Sequence, residues 1–265
     1  MTMVFASLLL LQAAASSGLT PRVDTLLDVG GYRMHLVVHR GTRPLTLVME
    51  SGGGTSLDAW SGVEATLARR TGATVVAYDR AGFGKSELGA WDLTPRRQMA
   101  QLDAALGRLG TPRDRIVIGH SYGGVLATLQ AHLFAGRVRG LVLVDPMNAR
   151  FVAATGDFVY STVPHIEHPA NASDSATARL VRSFDGLVRD PDAGDTGLRV
   201  PIVVITAGEP VWKKAEIDRA WRASHEAIAQ AGPGRRLLVA DRSDHDVPEK
   251  RPDTIVEAVL SLIGP

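Results

Sequence analysis

Short blocks of consecutive apolar residues alternate along the chain with longer stretches in which apolar residues recur every three or four positions. Ile116-Val117-Ile118 and Leu141-Val142-Leu143-Val144 are blocks of the first kind. Neither has the in–out alternation of a half-exposed strand, so both read as strands covered on two faces, as in a parallel sheet. Residues 45–50, 74–79, 202–206 and 236–239 read the same way. Ahead of them, residues 25–29 and 33–39 flank Gly30-Gly31, a hairpin-type turn. Helical spacing appears between the blocks. Trp60, Val63 and Leu67 share one helical face, as do Met99, Leu102, Leu106 and Leu109 after a Thr94-Pro95 start signal, and Val125, Leu129 and Leu133. Further helices are expected over residues 215–231 and 252–263. Two or three strands followed by alternating strand and helix predict an α/β fold, with a mostly parallel central sheet and helices on both faces.

The alternation breaks once, between Asp145 and Val200, over a stretch whose only clear element is a helix expected at 176–188. An insertion of that length after the sixth strand, at about 146–199, points to a functional cover such as a lid; an irregular surface excursion is the plainer alternative. At the other end, residues 3–15 form an apolar run that closes on Ala13-Ala14-Ala15. It is shorter than the roughly 20 residues of a membrane span and has the length of a signal-peptide core, although no Lys or Arg precedes it. The expectation is a leader over residues 1–17, a single domain over 18–265, no membrane span in the mature chain, and a secreted or periplasmic location; without the leader the location would be cytoplasmic.

Composition narrows the function. Lys and Arg number 29 and Asp and Glu 28, a net charge of +1, which argues against a nucleic-acid partner. Hydrophobic residues make up 45% and charged residues 22%, the balance of a folded domain of 265 residues with a sizeable core. The absence of cysteine removes disulfides, thiol catalysis and Cys-ligated metals together. His165 and His168 lie three apart without an obvious third ligand, so no metal site is expected.

The chemistry is carried by Gly119-His120-Ser121-Tyr122-Gly123, a G-x-S-x-G match. Alone the match is weak, but an apolar strand precedes it and an amphipathic helix follows. A sharp strand-to-helix turn lifts a serine hydroxyl above the sheet edge, glycines allow the close backbone approach, and the helix N-terminus favours developing negative charge. Ser121 is therefore the candidate nucleophile. The residue after it, Tyr122, would offer its backbone N–H to an oxyanion.

From about residue 26 to residue 263 the chain resembles the α/β-hydrolase family. Gly119-His120-Ser121-Tyr122-Gly123-Gly124 looks like its nucleophile elbow, and the segment from Tyr78 to Ser86 like the loop after its fourth strand. Ser51-Gly52-Gly53-Gly54 stands where the family has a His-Gly oxyanion loop, and Ser243-Asp244-His245-Asp246-Val247-Pro248 resembles the late loop that carries the catalytic histidine. The resemblance implies His245 as the general base, which imidazole suits near neutral pH. His120, inside the elbow, reads as packing. The acid has two candidates. Glu209 follows Gly208 near the seventh strand, where many relatives place it, and Asp145 ends the sixth strand before Pro146, as in some lipases of this fold. Asp145 is preferred; Asp244 and Asp246, flanking His245, are not. Aligning Ser51-Gly52 with the His-Gly pair makes Gly53 the second oxyanion donor, with Gly52 and Gly54 as neighbours in register.

The expected function is hydrolysis of a small ester-like substrate through an acyl-enzyme, without cofactor. Amide, lactone or carbon–carbon hydrolysis on the same residues is one alternative, and a ligand-sensing protein with little turnover is another. Dehalogenase and epoxide hydrolase chemistry are disfavoured, because similar proteins with those activities carry Asp at the position of Ser121.

Overall fold

The computed structural model describes residues 21–156, 158 and 171–264. The apolar run at 3–15, His165 and His168 lie outside the described residues. The strands are β1 (Arg22–Asp28), β2 (Arg33–His39), β3 (Thr46–Glu50), β4 (Thr74–Tyr78), β5 (Arg115–His120), β6 (Val138–Val144), β7 (Ile202–Ala207) and β8 (Arg235–Ala240). They form one sheet in the order β1-β2-β4-β3-β5-β6-β7-β8. β2 pairs antiparallel with β1 and with β4, and every later pair is parallel. The expected α/β architecture is the observed one.

Among the described residues the helices include α1 (Glu64–Thr71), α2 (Pro95–Arg108), α3 (Tyr122–Leu133), α4 (Ala149–Thr155), α5 (Ala172–Val188), α6 (Ala215–Gln230), α7 (Val247–Lys250) and α8 (Pro252–Ile263). α1 and α8 cover one face of the sheet, with Leu67, Ile255 and Val259 packed on Val142, Val144 and Ile118. α2, α3 and α6 cover the other, with Leu102, Ala127 and Ile228 against Val117, Leu141 and Leu143. Successive residues of β5 and β6 thus feed two cores in turn, which is why their sequences are continuously apolar.

Three elements differ from expectation. Trp60, Val63 and Leu67 are all buried, but a 3-10 turn at Leu57–Trp60 carries the first and α1 the last. Ser61 and Gly62 are weak helix formers, so the tight turn gives way before α1 starts. β6 begins at Val138, three residues before its apolar block, because Val138 already pairs with Arg115; a register shift follows, and Gly140 then pairs with Ile116. β5 continues through Gly119 and His120, which places the strand's end directly at Ser121. After β6 come α4, α5 and a 3-10 turn at Pro191–Ala193, before the chain returns to β7. Asn148 and Asn171 cap α4 and α5 by accepting the N–H groups of Phe151 and Asp174.

Candidate active site

The parallel strands converge at the carboxyl edge of the sheet, where open α/β sheets bind ligands. Ser121 occupies the single residue between β5 and α3, at φ 52° and ψ −121°. A non-glycine residue in that region stores strain, and the surrounding contacts hold it there. Its N–H donates to the Val144 carbonyl at 3.1 Å, and its carbonyl accepts the N–H groups of Gly124 at 2.8 Å and Met147 at 3.0 Å. Glycine is required on both sides. A Cβ on Gly119 would lie 2.3 Å from the Gly123 carbonyl oxygen, and one on Gly123 would lie 2.1 Å from that of Glu50.

The loop between β8 and α7 brings His245 over this turn, with its Nε2 2.9 Å from Ser121 Oγ. Its Nδ1 lies 2.6 Å from Oδ2 of Asp145, the residue that follows β6. A carboxylate only accepts, so Nδ1 carries the proton and Nε2 is left as acceptor for the Ser121 hydroxyl. Asp145 is wholly buried and has φ 40°. Its other oxygen, Oδ1, accepts the Ala207 N–H at 2.9 Å and the Trp221 indole N–H at 3.1 Å. Burial pushes this carboxyl up, but the His245 hydrogen bond, the two nearby imidazoles and the Ala207 N–H outweigh it and hold the group below the usual Asp value.

Geometry separates the remaining residues singled out in the sequence. Glu209 is exposed, and its backbone N–H ties to the Ser243 carbonyl at 2.8 Å; it does not reach His245. Asp244 pairs with Lys250 at 2.6 Å and also points elsewhere. His120 donates from Nε2 to the His245 carbonyl at 2.9 Å, so it shapes the histidine loop. Burial pushes its pKa down to about 4, helped by the neighbouring His245, and keeps it neutral near pH 7. Gly53 abuts Tyr122: a Cβ placed on it would sit 3.5 Å from the Tyr122 Cβ and 4.0 Å from Leu180 of α5. Among the described residues, neither the Tyr122 N–H nor the Gly53 N–H is paired with an acceptor. Two backbone donors beside a serine hydroxyl are what a developing oxyanion needs.

Two side chains central to this arrangement were not singled out by the sequence. Arg80, from the loop after β4, donates to the Ser51 carbonyl at 2.6 Å and to the Gly52 carbonyl, and it lies over the rings of Phe83 and Tyr122. It thereby ties down the carbonyls of Ser51 and Gly52 at the start of the glycine loop. Its place within the 78–86 motif was the only available signal. Trp221 lies 76 residues from Asp145 in the chain, and nothing local marks it. Among the described residues, no group of three or more His, Cys, Asp or Glu is placed to hold a metal. No described helix is long and apolar enough to cross a membrane.

The model of the family described as "Alpha/beta hydrolase family" matches residues 47–258. The chain belongs to that family. It is 25% identical over 236 residues to the uncharacterized protein YqjL of Bacillus subtilis, a match that covers 88% of this chain and 89% of that one. It is 35% identical over 108 residues to the human (lyso)-N-acylphosphatidylethanolamine lipase, covering 39% of this chain and 30% of the lipase. Among solved structures, a probable hydrolytic enzyme from Pseudomonas aeruginosa PAO1 superposes with a TM-score of 0.70 at 20% identity, over 93% of this chain and 95% of that one.

Proposed function

We propose that the protein is a serine hydrolase that cleaves carboxylic-ester-like bonds through an acyl-enzyme. The observation that carries this reading is the continuous chain Ser121 Oγ, His245 Nε2, His245 Nδ1, Asp145 Oδ2, with links of 2.9 Å and 2.6 Å. Ser121 Oγ attacks the substrate carbonyl while His245 Nε2 takes its proton. Asp145 holds the imidazole in the tautomer that can accept that proton and stabilises the imidazolium that results. The tetrahedral oxyanion takes hydrogen bonds from the N–H groups of Tyr122 and Gly53. Collapse expels the alcohol, which receives the proton from His245. Water then repeats the sequence and frees the acid and Ser121.

α4 and α5, inserted after β6, act in this reading as the lid. Leu180 borders Gly53, and Phe184 lies 6.2 Å from the Tyr122 ring, so the lid supplies apolar surface beside the reacting carbonyl. That surface favours an apolar acyl group, and the name of the human relative, a lipase, is in keeping with an ester bond. The domain boundary at residue 18 and removal of the leader belong to the same proposal; intact mass of secreted protein should place the mature N-terminus near residues 14–17.

A fluorophosphonate probe should label Ser121, and p-nitrophenyl esters of short fatty acids should be turned over. Ser121→Ala should remove the labelling and lower kcat by about four orders of magnitude or more. Turnover that survives in Ser121→Ala would overturn the reading. Labelling without turnover across a panel of acyl lengths would favour a ligand-binding role.

A further inference from the structure

α6 turns one face toward the segment that carries the triad acid. Trp221, Ser224 and His225, spaced as i, i+3 and i+4, lie on that face. The Trp221 indole N–H donates to Asp145 Oδ1 at 3.1 Å. The His225 Nε2–H donates to the Pro146 carbonyl at 3.0 Å. The Asn148 side-chain amide donates to Ser224 Oγ at 2.9 Å. His225 is completely buried, and its Nδ1 accepts the Thr206 hydroxyl at 3.0 Å, which ties the same helix to β7. Asp145, which has φ 40°, and the two polar groups just beyond it are thus fastened to one helix.

We propose that Trp221 is a positioning residue for the reaction: its indole N–H fixes the Asp145 carboxylate so that Oδ2 faces His245, and it draws charge from that carboxylate. The proposal rests on the serine hydrolase reading above. Three features support it. Trp221 is 1% exposed, so its N–H has no water to turn to. Its ring lies edge-on to His245 at 5.9 Å, and to Phe151 of α4 at 4.8 Å, so the indole is clamped by packing in the orientation that donates. Besides Trp221, the carboxylate is held by the Ala207 N–H on Oδ1 and by His245 on Oδ2, so among the described residues Trp221 supplies the one side-chain donor on the oxygen turned away from His245. A neutral donor on Oδ1 makes the carboxylate a weaker base toward His245. Losing it should concentrate charge on Oδ2, stabilise the imidazolium and move the acid limb of kcat/KM to higher pH. Among the described residues, His120 from β5 and His225 from α6 also face His245, and both are buried.

The test compares Trp221→Phe with wild type and with Phe151→Leu, which loosens the same packing without touching the hydrogen bond. In Trp221→Phe, kcat should fall about tenfold or more, as for a lost hydrogen bond to a charged group, while KM stays within about twofold. The acid limb should move up by several tenths of a pH unit or more, and Phe151→Leu should leave it in place. An unmoved limb in folded Trp221→Phe, or the same shift in Phe151→Leu, overturns the proposal. A second measurement needs no Trp221 variant. In the wild-type protein labelled with 15N-tryptophan, and assigned by replacing Trp60, Trp91 and Trp212 one at a time, the Trp221 indole resonance should titrate together with His245. An indole signal that ignores the His245 titration also overturns it. If Ser121→Ala keeps its turnover, the parent reading has failed instead, and the indole titration still reports on the Asp145–Trp221 bond.

Discussion

At the scale of single residues, Asp145 shows how two donors on one oxygen constrain the other. The N–H groups of Ala207 and Trp221 both point at Oδ1. In Asp145→Asn the amide oxygen must take that position, which turns the NH2 group toward His245 Nδ1. The imidazole is then forced to carry its proton on Nε2, facing Ser121, and cannot accept the serine's proton. Losses approaching about four orders of magnitude in kcat are the expected scale for such a tautomer switch. Glu209→Gln, at an exposed position, should stay within about twofold of wild type by the same p-nitrophenyl ester assay. Comparable losses in both variants would contradict this assignment. Ser121 and His245 were legible because each sits in a local motif. Choosing between Asp145 and Glu209 required the pairing of β6 with β7, which puts both carboxylates near the same edge and only one beneath His245.

Among the elements, the turn from β5 into α3 depends on backbone approach rather than on side-chain contact. A methyl group on Gly123 would meet the Glu50 carbonyl, which belongs to the neighbouring strand and cannot move without breaking its pairing with β5. Gly123→Ala should therefore destabilise by about 3 kcal/mol or more, at or beyond the usual range for overpacking. Gly107, in the last turn of α2, has nothing within 4 Å of its hypothetical Cβ. Gly107→Ala should stabilise by up to about 1 kcal/mol through the reduced freedom of the unfolded chain. Urea denaturation of the pair checks both signs, and a neutral Gly123→Ala would show that the turn has slack. The same level of organisation explains why the insertion was only partly readable. α5 has its own amphipathic pattern and an Asn cap, whereas its seat against Tyr122 and Gly53 comes from contacts distant in sequence.

For the molecule as a whole, the buried carboxyl of Glu50 links stability to pH. It sits at the end of β3, directly before the Ser51–Gly54 loop. The Tyr78 hydroxyl donates to it at 2.7 Å and the Gln130 amide at 2.6 Å. Burial pushes its pKa up to about 7, against the pull of those two donors and of Arg80. The folded state therefore holds this proton more tightly than the unfolded chain does. The stabilisation is fully present below the ordinary Glu value, near 4.5, and is lost as pH rises through about 7. The loss is on the order of 3 kcal/mol for a shift of this size. Carboxylates held low act in the opposite direction. Burial raises Asp103 and Asp195, but their arginine partners lower them further, so they stabilise the fold above the usual Asp range and cease to do so in acid. Glu50→Gln, an isostere of the protonated form, should flatten the wild-type decline between pH 5 and 8 when unfolding free energies are measured at both ends. Parallel pH dependences in the two proteins would remove Glu50 from the account.

Local chemistry in the sequence determined the elements: continuous apolar blocks made the buried strands, spaced apolar residues made the covering helices, and the glycines around Ser121 made the sharp strand-to-helix turn. Each of these depends on neighbours within a few positions, so the chain carries it openly. The expected α/β sheet followed from such signals, and the family match over residues 47–258 agrees with it; that β5 runs on through Gly119 and His120 to Ser121 did not. The tertiary structure alone decided which carboxylate meets His245, that Arg80 pins the loop of Gly52 and Gly53, and that Trp221 backs Asp145. Those contacts join residues 100, 28 and 76 positions apart. They form only when parallel strands are laid side by side, because a parallel crossover brings together strand ends that the chain itself keeps distant.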